Sequence, residues 1–186
     1  MKKCFITALL AAALILSACG GAGEEAYTPD ESAGQPAEVP TEAGAMPDAD
    51  ALFSSRDYEA AYDEDTAVYI SLLEDRAECS SSAVMCSGGE ITINDEGTYI
   101  LSGTLTDGSV RVNADKTDKI RLVLDNVSIN CRGGAAVCVL QADKLFITTA
   151  EGSVNSLTNE DGFDSESNVD AVIFSKEDLT LNGLGL

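Results

Sequence analysis

The amino-acid sequence predicts an all-β fold, a right-handed parallel β-helix, for residues 67–186. Three observations support this prediction: short runs of alternating apolar and polar residues, turn-forming residues between the runs, and an internal repeat. Alternation with a period of two is typical of β-strands, because successive side chains point to opposite faces. Ile91-Thr92-Ile93 and Val110-Arg111-Val112 are examples, and Gly, Asn and Asp interrupt the chain every few residues.

The repeat consists of an apolar triplet, a turn with an aspartate, and a second apolar run. Asp118, Asp143 and Asp178 mark equivalent positions, 25 and 35 residues apart, and the longer interval contains the polar insertion 159–168. One such unit cannot bury its own apolar side, but stacked units bury it together, as in a β-helix. A β-sandwich built from hairpins is the alternative. Two-residue Asn-Gly and Asp-Gly turns are sparse, so we favour the β-helix.

The register of the repeat predicts which side chains share a face of the strands. The predicted inward ladders contain Val110/Val112, Val137/Val139 and Val172/Phe174 in the first strand of each unit, and Ile120/Leu122, Leu145/Ile147 and Leu179/Leu181 in the second. The predicted outward columns contain Arg111, Cys138 and Ile173, and separately Arg121, Phe146 and Thr180. We therefore expect Arg121 and Phe146 to be neighbours on an outer face.

Residues 1–18 predict an export signal. Lys2 and Lys3 precede an apolar run over residues 5–16, and Leu16-Ser17-Ala18-Cys19-Gly20 follows. This last segment resembles the lipobox of bacterial lipoproteins. The resemblance implies cleavage after Ala18 and lipidation of Cys19, which would hold the protein at the extracytoplasmic face of a membrane in the cell envelope. An ordinary secretory signal with a chance cysteine is the alternative.

Residues 19–66 predict an acidic, disordered tether. Residues 20–65 contain thirteen acidic residues and one base, Arg56, and all four prolines of the chain lie between Pro29 and Pro47. Large apolar residues are scarce, so this segment cannot bury enough surface to fold alone. The predicted organisation is therefore a signal peptide (1–18), a tether (19–66) and a folded domain (67–186).

The charge of −21 and the absence of histidine exclude several classes of function. Such an acidic chain repels nucleic acid and anionic lipid. Without histidine, zinc hydrolysis and Ser-His-Asp chemistry are disfavoured, and hard oxygen ligands would suit calcium. The insertion and the strand after it supply the candidate calcium ligands Asp161, Asp164, Asp170 and Asp178. A solvated acidic loop is the alternative reading of these residues.

Four cysteines remain in the predicted mature chain after Cys19: Cys79, Cys86, Cys131 and Cys138. An even number in an exported chain permits disulfides, and three connectivities are possible. The short spacing within each pair favours local bridges between Cys79 and Cys86 and between Cys131 and Cys138.

Several sequence blocks in one order resemble a known family. They are Ile91-Thr92-Ile93, Gly97-Thr98-Tyr99-Ile100-Leu101-Ser102-Gly103-Thr104-Leu105, Leu122-Val123-Leu124-Asp125-Asn126-Val127-Ser128-Ile129, and the stretch from Asp170 to Gly183. Residues 68–186 resemble the carbohydrate-binding β-helix family typified by a cellulose- and polygalacturonate-binding protein of cellulolytic clostridia. The resemblance implies a pectate-lyase-like β-helix, calcium binding, and acidic or cellulosic polysaccharide ligands. The family pattern continues beyond Leu186, so we expect this chain to be truncated at its C-terminus.

The function that the sequence predicts is non-catalytic polysaccharide binding at the cell surface by a monomer. Arg111, Arg121 and Phe146 are the candidate carbohydrate-binding residues, because sugar sites combine polar groups with an arginine or aromatic platform. A calcium-dependent polysaccharide lyase is one alternative, in which an arginine or lysine would act as the base. Lys119 and Lys144 recur at equivalent positions, which indicates repeat structure, so no catalytic residue is assigned. A surface spacer or adhesin without sugar specificity is the other alternative.

Overall fold

A computed structural model of the chain describes residues 53–186. The predicted signal peptide, the Cys19 lipidation site and residues 19–52 of the predicted tether lie outside the described residues. The described part contains one 3-10 turn, Ser55–Asp57, and strands β1 to β12. In chain order the strands are Val68–Glu74, Arg76–Glu78, Val84–Ser87, Glu90–Ile93, Gly97–Leu105, Ser109–Asn113, Lys119–Asn130, Val137–Gln141, Lys144–Thr149, Ser156–Thr158, Ile173–Ser175 and Asp178–Gly183. The predicted all-β class is confirmed.

The strands form two sheets. The larger has the order β12-β9-β7-β5-β1-β2, and β10 also pairs with β7; the smaller has the order β11-β8-β6-β4-β3. Strands from successive units of the repeat pair in parallel, as β5 with β7 and β6 with β8. Two pairs are antiparallel: β1 with β2, and β3 with β4. Among residues 53–186, no helix has the length and hydropathy to cross a membrane.

The prediction of a right-handed parallel β-helix is wrong. Within residues 53–186 the strands form two mixed sheets, and neither sheet closes on itself or winds as a solenoid. The chain reverses direction sharply at two places that the repeat did not reveal. Glu74 has a φ of 64°, and Gly88 has a φ of 59°. These left-handed residues permit tight turns, which place β2 against β1 and β3 against β4 in antiparallel pairing.

The core lies between the two sheets. Val110 and Val112 of β6 are fully buried, as are Leu122 of β7 and Leu145 of β9 on the other sheet, and all four belong to one apolar cluster. Burying a valine or leucine of this kind contributes about 1.5–3 kcal/mol each. The alternation of apolar and polar residues therefore builds one core from the inner faces of both sheets.

The predicted strand registers are confirmed in most places. Arg121, Phe146 and Thr180 form one column, and Val110 pairs with Val137. The prediction is wrong for β11, where Ile173 rather than Val172 lies beside Val137. Phe174 consequently joins the column that contains Arg111 and Cys138. A shift of one residue exchanges the two faces of a strand, and three residues are too short a pattern to fix it.

A bulge divides the larger sheet into two arms. Leu101 pairs with Leu124 and Gly103 with Val127, so two residues of β7 lie opposite the single residue Ser102. Before the bulge, β7 pairs with β9; after it, β7 pairs with β10. Bulges bend a strand and redirect its side chains. The distal arm, beyond the bulge, therefore presents a separate outer surface.

The outer face of the first arm is covered by residues 54–62, which we call the strap. Tyr62 packs against a small apolar cluster that includes Ile100 and Val123, and Val123 is fully buried. The predicted tether ended at residue 66, but its last described residues lie against the sheet. The sequence does not reveal that the strap packs against the sheet, because the strap makes its contacts mainly through hydrogen bonds and single charged residues.

Candidate functional site

The distal arm carries a shallow polar groove of about 450 Å³. Its lining side chains are mostly hydroxyl and amide groups with one charge of each sign: Thr104, Leu105, Thr106, Ser128, Asn130, Arg132, Ser156, Thr158 and Glu160. The groove crosses three parallel strands, β5, β7 and β10. We call this surface the polar groove.

The polar groove arises from three short sequence segments of the same type. Thr104-Leu105-Thr106, Ser128-Ile129-Asn130 and Ser156-Leu157-Thr158 each place one apolar residue between two polar ones. The three apolar residues pair with one another across the sheet and pack into the core. Because side chains alternate along a strand, their polar neighbours must point outward. Neighbouring strands lie about 4.8 Å apart, so the polar groups form regular rows.

Asn130 organises one of these rows. Its side-chain amide donates to the Thr106 carbonyl at 3.2 Å and to a Glu160 carboxylate oxygen at 3.1 Å. Its Oδ1 accepts a hydrogen bond from the Thr158 hydroxyl at 3.2 Å. Most of the hydrogen-bonding capacity of Asn130 is thus used within the protein. The row is held in a fixed arrangement before any ligand arrives.

The second row of the groove consists of hydroxyls that have no partner within the described part of the protein. Within residues 53–186, the hydroxyls of Thr104, Ser128 and Ser156 have no protein hydrogen-bond partner, whereas the hydroxyls of Thr106 and Thr158 donate to the Glu74 carbonyl and to Asn130 Oδ1. Each hydroxyl can donate one hydrogen bond and accept two. Sugar hydroxyls have the same capacity, so aligned rows of serine and threonine suit a carbohydrate chain.

Arg132 and Glu160 give the end of the groove its charges. Arg132 is more than half exposed, and its Nε lies 3.9 Å from a carboxylate oxygen of Asp161. That ion pair contributes little to folding stability, because exposed ion pairs in water stabilise a protein by about 0–1 kcal/mol. The guanidinium remains available to an incoming polar ligand. With one positive and one negative charge in its lining, the groove does not select strongly for charged ligands.

The insertion 159–168 borders this end of the groove. Asn159 donates to the Gly134 carbonyl at 2.7 Å, and Phe163 bridges to Gly133 in parallel pairing. The Asn159 Oδ1 atom is buried and has no hydrogen-bond partner within residues 53–186. Phe163 remains about a third exposed at 37%. The insertion therefore places the backbone of Phe163 beside Gly133, the residue that follows Arg132.

The predicted carbohydrate-binding residues do not lie together. Arg111 is on the smaller sheet, half exposed, with its Nε 2.8 Å from a carboxylate oxygen of Glu90. Arg121 and Phe146 are neighbours on the larger sheet, as the register predicts, but only 5% and 1% of their surfaces are exposed. The strap covers them. None of the three lines the polar groove.

The predicted calcium ligands are placed separately. Asp161 faces Arg132, and Asp164 accepts a hydrogen bond from the Glu166 amide at 2.9 Å within its own loop. Asp170 lies in an irregular segment, and Asp178 begins β12 beside Lys144. In the part of the chain that the structure describes, no three histidine, cysteine or acidic residues are grouped to hold a metal ion. The four predicted aspartates are thus not gathered into one cluster in the described residues.

The four cysteines in the described residues are free thiols, so the predicted local disulfides are not formed in this structure. Cys131 and Cys138 are buried, and burial raises the pKa of both thiols. Burial also raises the pKa of Cys86, with a smaller contribution from Cys79. A raised pKa disfavours the thiolate, which is the reactive form. Cys131 belongs to the main apolar cluster, and Cys79 and Cys86 pack against it.

A family model and a relative of known name are similar to this chain. The family model described as carbohydrate-binding domain-containing protein matches residues 87–186, more than half of the chain. A carbohydrate-binding domain-containing protein of Acetivibrio thermocellus is 35% identical over 100 residues, which cover 52% of this chain and 35% of that relative. The matched region thus spans about a third of the relative's length.

A solved structure is also similar. It is a polysaccharide lyase-like protein from C. thermocellum, with a TM-score of 0.59 and 31% sequence identity, and the match covers 64% of this chain and 50% of that one. The polar groove lies wholly within residues 87–186. The chain belongs to the family of carbohydrate-binding domain-containing proteins.

Proposed function

We propose that this protein binds polysaccharide without cleaving it, at the surface of the cell, through the polar groove. The observation that carries the proposal is the row of unpartnered hydroxyls on Thr104, Ser128 and Ser156, held on three adjacent parallel strands. A sheet is a rigid support, so these groups keep their spacing. Each can then contact one position along an extended sugar chain.

The shape and charge of the groove favour polymeric over small ligands. It is shallow and open, so it cannot enclose a monosaccharide on all sides. Affinity must therefore come from several weak contacts along the chain, each worth about 0.5–1.5 kcal/mol. Arg132 at the rim can contact a hydroxyl or a carboxylate. Cellulosic and pectic polysaccharides both meet these requirements.

A polysaccharide lyase is the second candidate, because the similar solved structure is described as lyase-like. Lyase chemistry needs a neutral base beside the uronate carboxyl group. The two lysines at equivalent positions do not suit this role: Lys119 is paired with Asp143, and Lys144 with Asp57. A substrate would have to displace a carboxylate from either amine before that amine could take part in proton transfer. This arrangement supports binding over cleavage.

The binding and lyase proposals are separated by one set of measurements. The purified chain is run in native gels that contain cellulose derivatives, pectin or polygalacturonate. In a separate measurement, the chain is mixed with each polysaccharide in solution, and the absorbance of unsaturated uronate is followed. We expect retarded migration in at least one polysaccharide and no absorbance change. Absorbance that grows with protein concentration would establish lyase activity. Migration unaffected by every polysaccharide would instead favour a spacer or adhesin without sugar specificity.

Surface attachment through Cys19 is part of this proposal. Its support is the sequence Leu16-Ser17-Ala18-Cys19 after an apolar run. Expression in a bacterial host with labelled fatty acid should label the wild type, and Cys19→Ala should abolish the label. A labelled Cys19→Ala protein would contradict lipidation at this residue.

Calcium binding is a further proposal that rests on the acidic residues of the insertion. Because the candidate aspartates are dispersed, calcium would have to draw the loop together, which would stabilise the folded state by mass action. Thermal unfolding should then shift upward in millimolar calcium, and magnesium is the matched control. An unchanged unfolding temperature would exclude a calcium site in the loop.

A further inference from the structure

Phe146 is surrounded by three cations, although the chain carries a net charge of −21. The guanidinium carbons of Arg56 and Arg121 lie 5.2 and 5.3 Å from the ring centroid, and Lys144 Nζ lies 5.5 Å away. Cations within about 6 Å of a ring are attracted by its negative face. The same three charges repel one another, so the cluster needs a nearby anion.

Asp57 of the strap supplies that anion. Its Oδ1 lies 2.5 Å from Lys144 Nζ, and the Thr180 hydroxyl donates a hydrogen bond to the same carboxylate oxygen. Hydrogen bonds from Lys144, Thr180 and Ser54 hold the pKa of Asp57 well below its ordinary value. Asp57 is 5% exposed, whereas the residues on either side of it are exposed. The strap therefore places one carboxylate, together with its own Arg56, against the two cations of the sheet, Arg121 and Lys144.

Arg121 is buried without a carboxylate partner. Its Nη1 donates to the Glu59 carbonyl at 2.9 Å and to the Thr148 hydroxyl at 2.8 Å. Within residues 53–186, no carboxylate oxygen lies within 4.0 Å of Arg121 or Arg56. Burying an arginine with neutral acceptors alone is costly, and burial lowers the pKa of Arg121. Of the two cations that the sheet supplies, Lys144 has a carboxylate partner from the strap and Arg121 has none within residues 53–186.

Few contacts hold the strap in place. Besides Asp57, they are the Glu59 carbonyl on Arg121, two hydrogen bonds of 3.2 Å from Asn182 to strap carbonyls, and the packing of Arg56 and Tyr62. The three residues Ser54, Ser55 and Tyr58 are exposed. Segments with few buried apolar contacts open at a small free-energy cost. A ligand that offers equivalent contacts can replace the strap.

We propose that the strap is a displaceable internal ligand, and that Asp57 occupies a subsite for the carboxylate of an acidic sugar. This inference rests on the proposed polysaccharide-binding function and adds a second, regulated subsite to it. Lys144 and Thr180 would receive the sugar carboxylate, Phe146 would contact the sugar ring, and Arg121 would pair with a second carboxylate. Neutral polysaccharide has no group that competes with Asp57, so it would bind only at the polar groove.

The test compares two probes, an oligogalacturonate and a neutral cello-oligosaccharide, by isothermal titration of the full chain. Asp57→Ala removes the competing carboxylate, and Asp65→Asn is the matched control because it removes the same charge from an exposed neighbouring position. We expect Asp57→Ala to bind oligogalacturonate at least roughly tenfold more tightly than wild type, because no competing state is populated. The control and the neutral probe should show no change. Adding Lys144→Gln to Asp57→Ala should remove the gain.

The strap inference would be overturned if Asp57→Ala is folded but gains no affinity for oligogalacturonate. The groove proposal would stand in that case if wild type still binds either probe. Binding of neither probe by either protein would overturn the groove proposal as well. If Asp57→Ala does not fold, amide exchange of wild type decides the question. Exchange at Asp57 and Tyr58 should rise with oligogalacturonate and not with the neutral probe. Unchanged exchange at saturation would contradict displacement.

Discussion

Lys144 Nζ lies 2.5 Å from Oδ1 of Asp57, and this ion pair joins the segment before the first strand to strand β9. Both side chains are largely buried, with 19% and 3% exposed. The pair places a negative charge among the cations around Phe146. Residues with the composition of a tether are therefore part of the folded domain.

The Asp57 ion pair predicts a specific pH dependence of stability. The pKa of Asp57 is lowered from 3.8 by Lys144, Thr180 and Ser54, so its carboxylate stabilises the folded state above the ordinary pKa. This contribution disappears as pH falls through the lowered pKa. In urea unfolding, wild type should exceed Asp57→Asn in stability at neutral pH, and the difference should shrink as pH falls below about 4. A difference that is constant down to strongly acidic pH would contradict the assignment.

The buried hydroxyl of Tyr99 should make the stability of the protein depend on pH in the alkaline range. This hydroxyl donates to the Asp95 carbonyl at 2.7 Å, and burial, with a smaller effect of nearby acidic groups, raises its pKa to about 12. A raised pKa means that the neutral phenol stabilises the fold fully below pH 10, and this contribution is lost as pH rises toward 12. Tyr99→Phe should remove the tyrosinate absorbance that appears last in an alkaline titration. Loss of an earlier-titrating tyrosine instead would show that Tyr99 is accessible to solvent.

The close approach of Gly103, next to the bulge, to strand β1 should be important for the stability of the protein. The φ of Gly103 is 103°, and a Cβ at this position would overlap the carbonyl oxygen of Leu72. Gly103→Ala should therefore destabilise the protein by about 3 kcal/mol or more in urea unfolding. Gly152→Ala is the control: its φ is 72°, but the space around it is open, so only about 1 kcal/mol of backbone strain is expected. Equal losses for the two variants would show that close packing at the bulge is unimportant.

The sequence predicted the strands and most columns because period-two alternation is a local property. Ile120, Leu145 and Leu179 are aligned as expected. The sheet topology was not predictable, because it depends on single turn residues such as Gly88, whose conformation the repeat does not encode. The burial of Arg121 and Phe146 could not be predicted from the sequence either. It depends on the strap, which comes from a distant part of the chain and has no apolar periodicity.

The polar groove was missed for a different reason. The triplets at residues 104–106, 128–130 and 156–158 are visible in the sequence, but only their apolar residues mark the strands, and polar residues beside them are ordinarily solvated. Aligning the triplets on Leu105, Ile129 and Leu157 would have brought the hydroxyls together. Arg132 and Glu160, which follow the second and third triplets, would then have marked one end of the site.

Isothermal titration of a groove variant tests most directly whether the polar groove binds polysaccharide. Ser128→Ala combined with Ser156→Ala removes two unpartnered hydroxyls, and Ser102→Ala is the control, an exposed serine on the same sheet outside the groove. With the polysaccharide that binds wild type best, the double variant should lose about 1–3 kcal/mol of binding free energy, roughly a five- to 150-fold weaker affinity. The control should bind as wild type does. Equal affinity of the double variant and wild type would contradict the groove as the binding site.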